Sequence, residues 1–147
     1  MGMWFNPIMA SLLRSPFHGW LSHNTMLITV RGRKTGRPVT TPVNYFRGED
    51  ELLMVSYRSR TWWRNLRNRQ APVQLLLAGV RREATASVFE SEADVNRGLA
   101  EIVARFPSMA RPLGIGLDET GSPRPVDLAQ ASQSRVIVRA RLTPGPA

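Results

Sequence analysis

From Thr25 to Phe89 the chain runs in short apolar or alternating segments, each closed by glycine, proline or a cluster of charge. Segments of that length and period bury as β-strands and are too short for stable helices. Met26–Val30 is an apolar run. Val39, Thr41, Val43 and Tyr45 then alternate with Thr40, Pro42, Asn44 and Phe46. Leu52–Tyr57, Val73–Ala78 and Val80–Phe89 follow, with Gly79 placed to turn between the last two. Val136, Val138, Ala140 and Leu142 form a sixth strand near the C-terminus. Pro42 cannot donate to a ladder, so it points to a sheet edge or a bulge at that position.

Helical spacing surrounds this block. Asn6-Pro7 reads as an N-cap and first helical residue, followed by Ile8, Met9, Leu12 and Leu13, with a break at Pro16 and a second short turn through Leu21. Thr61–Asn68 has the pattern of a short helix. Ser91 with Asp94 opens a longer helix in which Val95, Leu99, Ile102, Val103 and Phe106 share a face, and Pro107 stops it. Residues 107–133 are rich in proline, glycine and serine and read as irregular, with one turn of helix at Val126–Ala131. Six strands in a meander with a helix after the third and another before the last predict a small barrel with peripheral helices. The 147 residues suit a single domain over 1–142 that includes the N-terminal helix, with 143–147 as a loose tail.

Composition removes several chemistries. There is no cysteine, so disulfides, thiolate nucleophiles, iron–sulfur clusters and cysteine-ligated zinc are excluded. His18 and His23 have no carboxylate nearby in sequence, and no metal site is expected. Redox chemistry therefore needs an organic cofactor. No segment reaches the ~20 apolar residues of a membrane span, and a cytoplasmic location is the expectation. Residues 3–21 read as packing on their own domain, as a lid or dimer arm, or as a peripheral membrane contact.

The net charge of +9 sits in one place: residues 31–82 hold twelve basic groups against Glu49, Asp50 and Glu51, while the rest of the chain is balanced. Such asymmetry indicates an anion-binding surface. All but Lys34 of the basic residues are arginine, which suits bidentate phosphate and carboxylate recognition, although a GC-rich coding sequence produces the same bias without function. Nucleic acid is not the expected partner: apart from Trp62 and Trp63, no aromatic alternates with basic residues as a stacking strand requires.

Two clusters stand out. Gly32-Arg33-Lys34-Thr35-Gly36-Arg37-Pro38 is a tight turn that reads either as a solvated basic loop or as an anion site in which exposed backbone N–H groups join three cations. Its glycine spacing is not that of a P-loop. Around Trp62-Trp63, neighbours on a helix diverge by ~100°, so both rings are not expected to face the core fully. One packs while the other borders a ligand ring, or both anchor the helix; for Trp63 the anchor reading is favoured.

The run Leu27–Val43, with Gly32-Arg33-Lys34-Thr35-Gly36-Arg37-Pro38 at its centre, resembles the signature of the deazaflavin-dependent nitroreductase family. Trp62-Trp63-Arg64-Asn65-Leu66 resembles its second signature, and the likeness extends over roughly residues 6–90 and the closing strand Arg135–Leu142. The resemblance implies an α+β split β-barrel of the FMN-binding type with about six antiparallel strands, and an oxidoreductase that uses reduced coenzyme F-420 to pass hydride to a quinone, enone or nitro compound. It implies that Arg33, Lys34, Thr35 and Arg37 meet the cofactor's phosphate and oligoglutamate tail, with Arg58 or Arg60 replacing a lysine of the family. Trp62 and Asn65 close over the same region, and the strand Thr40, Thr41, Pro42, Val43 and Asn44 meets the deazaflavin ring. Ser56 faces the ring or substrate, with Ser56, Tyr57 or water as proton donor. Val39 stands where the family has a basic residue, and Asn44 where relatives often have an aromatic near the substrate. The alternative within the fold is an FMN-, haem- or tetrapyrrole-binding protein, including a carrier without turnover. By analogy with the fold, a homodimer is expected.

Overall fold

A computed structural model describes residues 25–48 and 50–144. The expected N-terminal helix, the 3–21 segment and both histidines lie outside the described residues, as do the last three residues of the tail. The strands are β1 (Thr25–Arg31), β2 (Pro38–Arg47), β3 (Leu52–Tyr57), β4 (Ala71–Leu77), β5 (Val80–Phe89) and β6 (Arg135–Leu142). Two helices, α1 (Glu92–Arg105) and α2 (Pro125–Gln133), lie between β5 and β6, and a five-residue 3-10 turn, Trp62–Leu66, follows β3.

The six strands close into a barrel in the order β1-β2-β3-β6-β5-β4, every pair antiparallel. The simple meander is thereby corrected, because β3 neighbours β6 rather than β4. Residues 58–70 carry the chain away from β3 to β4, which closes on β1, and the helical excursion returns β6 into the vacant position between β3 and β5. Ala78 (φ 50°) and Gly79 (φ 80°) supply the left-handed turn of the β4–β5 hairpin.

Two apolar layers share these strands. Met26, Ile28, Val30, Met54, Leu75, Val136 and Val138 fill the barrel. On the outside, Leu53 and Ile137 pack under Val95, Leu99 and Ile102 of α1 and Leu128 of α2. A strand covered on both faces reads as a continuous apolar run, which accounts for Leu52-Leu53-Met54 and Val136-Ile137-Val138. The α1 start is as expected: Ser91 Oγ accepts from Asp94 N at 3.1 Å. Phe106 departs from the expected buried face, since it caps the helix C-terminus at the surface and tilts onto Phe46 with ring centres 5.7 Å apart. The single turn expected at Val126–Ala131 is a nine-residue helix, opened by Pro125 and tied to the preceding loop where Gly116 N donates to Asp127 Oδ2 at 2.9 Å. Just beyond β6, Thr143 N donates to Glu83 O.

The barrel is not evenly sealed. β1 and β2 register over seven residue pairs and β3 and β6 over six, but β2 and β3 pair only through Tyr45–Met54, Phe46–Leu53 and Arg47–Leu52. The strands part before Asn44 and after Met54, so the first half of β2 has a free edge. Pro42 lies on that edge, where its missing N–H costs no ladder bond.

Candidate active site

The split leaves a cleft of about 220 Å³ between the strands. Pro42, Val43 and Asn44 line one side, Val55, Ser56 and Tyr57 the other, with Trp62, Arg60 and Thr25 completing it. The alternation of β2 sends Thr41 and Val43 inward, and both are buried, whereas Asn44 stands exposed. A second depression of about 530 Å³ lies between the basic loop and the 3-10 turn, lined by Gly32, Arg33, Lys34, Thr35, Val39, Arg64, Asn65 and Arg67. The 3-10 turn contributes Trp62 to the cleft and Asn65 to the groove, and so spans the two.

The groove is built by one clamp. Arg33 N donates to Asn65 Oδ1 at 3.0 Å, Asn65 Nδ2 donates to Trp62 O at 3.0 Å, and Arg33 Nη1 donates to Arg64 O at 3.3 Å. Within the loop, Gly32 N donates to Arg37 O, Gly36 N to Gly32 O, and Arg37 N to Thr35 Oγ1. Gly36 has φ +71°, which the turn requires. Four backbone N–H groups therefore close the loop or hold it to Asn65 instead of facing an anion. The cationic side chains supply the positive lining.

Both tryptophans are buried, at 4% and 2% exposure, which corrects the expectation that they could not both be. The turn caps the barrel end, so Trp62 enters the barrel while Trp63 is covered by Arg64 and Arg67, whose guanidinium carbons lie 5.7 and 5.2 Å from its ring centre. Trp63 Nε1 donates to Tyr57 O and Trp62 Nε1 to Ser56 Oγ, at 3.3 and 3.1 Å. Ser56 Oγ in turn donates to Tyr57 O at 3.2 Å, so its single proton is engaged. Tyr57 is 54% exposed at the rim, with the Arg135 guanidinium 5.0 Å from its ring centre.

The arginines separate into distinct roles. Arg60 Nη2 donates to Thr41 Oγ1 across the mouth of the split. Arg67 makes a bidentate pair with Glu90 at 2.8 and 2.9 Å, and that bonded carboxylate raises its pKa further. Arg58 does not join either depression: it donates to the carbonyls of Gln133, Glu90 and Ser132 and ties the end of α2 to the barrel. Arg37 does not line the groove, and Thr40 is engaged with Thr29 through their hydroxyls at 2.8 Å. Sequence reasoning placed Arg64 only within the second signature and left out Val55 and Thr25. Arg64 was legible from its place between Trp63 and Asn65 on one tight turn, whereas Val55 and Thr25 enter only through strand register.

Among the described residues no group of three or more His, Cys, Asp or Glu could hold a metal, and no helix is long and apolar enough to cross a membrane. A barrel opened between two strands, with a cationic groove beside the opening, is a split β-barrel. The family model described as F420H(2)-dependent quinone reductase matches residues 16–112, and the chain belongs to this family of oxidoreductases. No curated protein matches it. Solved structures of similar fold include a putative pyridoxamine 5'-phosphate oxidase from Listeria innocua (14% identity, TM-score 0.51, covering 94% of this chain and 92% of that one). HutZ, the heme storage protein from Vibrio cholerae, is similar at 13% identity and TM-score 0.51, over 95% and 91% of the two chains. The protein Atu2129 from Agrobacterium tumefaciens, of unknown function, is similar at 16% identity and TM-score 0.52, over 88% of this chain and 56% of that chain. At these identities the likenesses show the fold.

Proposed function

We propose that the chain binds coenzyme F-420 with its phosphate and acidic tail in the groove between the 32–38 loop and the 3-10 turn, and its ring in the split between β2 and β3, and that it reduces a quinone or a related enone or nitro acceptor. The observation that carries this reading is the placement of the cationic groove directly beside the free edge of β2, with the 3-10 turn lining both. The donor set fits the group: Arg33, Lys34 and Arg64 offer charge to phosphate and carboxylates, and the unpaired edge of β2 offers backbone groups to a flat heterocycle.

The reduced cofactor, when bound, supplies a hydride. The chain's own residues supply orientation and dryness: Trp62 floors the cleft, Pro42, Val43 and Val55 exclude water from its sides, and Arg60 spans its mouth. No nucleophile is needed. The proton that accompanies the hydride comes from solvent or from Tyr57 at the rim. Ser56 serves to seat Trp62.

Fluorescence titration with F-420, beside FMN and haemin, tests the reading. Saturable micromolar binding of F-420 in preference to the others is expected. Arg33→Ala with Lys34→Ala weakens it by about a hundredfold, as loss of two charge-assisted contacts implies, with the thermal midpoint little changed. Preference for FMN or haemin would move the chain to the alternative cofactor class, and unchanged F-420 affinity in the double variant would remove the groove from the site.

A further inference from the structure

The cleft contains one polar side chain whose direction is set from across the sheet. Thr25 and Asn44 stand opposite each other in the β1–β2 register, so their side chains share a face. Thr25 is only 9% exposed, and its Oγ1 donates to Asn44 Oδ1 at 3.0 Å. A carboxamide has one oxygen acceptor and one NH2 donor on opposite branches. With Oδ1 held toward Thr25, Nδ2 is the branch turned away from it, and both residues line the cleft. Of the other polar groups there, Ser56 is engaged with Trp62 and Tyr57 and one arm of Arg60 with Thr41, while the Tyr57 hydroxyl stands at the exposed rim. The other walls are Pro42, Val43 and Val55, where a single donor counts for more than it does in water.

We propose that Asn44 Nδ2 is the specificity-determining donor of the cleft, hydrogen-bonding the oxygen of a carbonyl acceptor, and that Thr25 is the positioning residue that presents it. This rests on the reading of the cleft given above and names what its substrate must carry: a quinone or enone oxygen within reach of Asn44. The acceptor takes a hydride (two electrons and a proton) from the reduced cofactor, which is left oxidised, and a second proton from solvent. As those electrons arrive, negative charge grows on the acceptor oxygen. A fixed neutral donor gains strength in that step and gives up no proton of its own. A neutral amide also leaves the oxygen free to be protonated afterwards, which a fixed cation there would oppose.

The test measures binding of 1,4-naphthoquinone and of naphthalene to the free protein and to the protein saturated with oxidised F-420, following Trp fluorescence. Asn44 is exposed, so Asn44→Leu leaves the barrel intact, and the F-420 titration on each variant reports the cofactor site separately. In Asn44→Leu, naphthoquinone affinity falls by about tenfold, the value of one lost hydrogen bond, while naphthalene affinity holds. Asn44→Asp loses more, because a carboxylate offers only acceptors to the quinone oxygen. Thr25→Val lowers the naphthoquinone-to-naphthalene ratio and Thr25→Ser restores it, an outcome that a purely structural role for Thr25 does not produce. In turnover the same variants lower kcat as well as raising KM. An unchanged ratio in Asn44→Leu, or no naphthoquinone binding by the unsubstituted protein, overturns the proposal. Failure of every variant to bind F-420 overturns the cofactor reading instead, and the ratio on the free protein then still decides the role of Asn44.

Discussion

Ser56 and Trp62 offer a close test of how the split is built. The pair is buried, at 5% and 4% exposure, and is joined by Trp62 Nε1 donating to Ser56 Oγ at 3.1 Å. Ser56→Ala keeps the shape of the strand but leaves an indole N–H without its acceptor. A buried donor stranded in this way costs about 2 kcal/mol. Trp62→Phe costs about 2 kcal/mol too, roughly half for the lost bond and the rest for the void left by the second ring. In the double variant no donor is stranded, and only the lost bond and the void remain, so the sum of the single effects exceeds the measured one by about 2 kcal/mol. Urea unfolding followed by circular dichroism reads all three, with an unchanged slope confirming that the same surface is exposed. Ser56→Ala also lowers the thermal midpoint by about 4–8 °C for a chain of this size. Its turnover stays within about twofold of the parent, since the single Ser56 proton is held by Tyr57 O and is not offered to substrate. Additive single effects would refute the pairing. A loss of turnover of about a hundredfold or more with stability intact would show that Ser56 delivers the proton after all.

Three further outcomes follow from the geometry. Arg58→Ala destabilises by about 2 kcal/mol through the loss of charged bonds to the carbonyls of Gln133 and Glu90, yet F-420 affinity is unchanged; a matching fall in affinity would return Arg58 to the site. Gly98→Ala forces a methyl to 2.7 Å from Ile137 Cγ1 and destabilises by about 1–3 kcal/mol, and Ile137→Val in the same chain recovers part of it, which urea midpoints measure. The Asp118 carboxyl is held below its ordinary value, first by the Thr120 hydroxyl and then by the amide N–H of Ser122. Its contribution is complete above the ordinary carboxylate range near pH 4 and is lost as pH falls through the lowered value. The protection of the Ser122 amide, its exchange measured against the intrinsic rate at each pH, therefore falls only on acidification, and Asp118→Asn removes that dependence.

The elements were readable in the sequence because strand and turn signals are local. The six strands were marked by their apolar residues and by the glycines and prolines between them, and Pro42 announced an edge or a bulge, of which the structure shows the edge. The helix at 125–133 was under-read, since its hydrophobic pattern is weak and its stability comes from Leu128 packing on the outer face of the barrel and from Asp127 holding Gly116. The groove was half legible: Arg33, Lys34 and Asn65 belong to short contiguous motifs. Arg58, expected at the cofactor, lies instead against the carbonyls of Gln133 and Glu90, because a side chain's direction on an irregular segment depends on which carbonyls or rings come within reach.

What the sequence by itself determined was the set of parts: strands of the right length, a basic loop closed by glycine, an aromatic turn, and no cysteine with which to do thiol or cluster chemistry. Tertiary structure alone decided where those parts meet. The short β2–β3 register opens the split at Asn44, and the insertion of β6 between β3 and β5 seals the rest of the barrel. It also sets Thr25 against Asn44, sends Trp62 into the barrel and buries Trp63 under Arg64 and Arg67. Periodicity encodes which face of a strand is apolar. Which strand becomes its neighbour is decided by closure of the whole sheet, where every remaining edge must find a partner or a ligand.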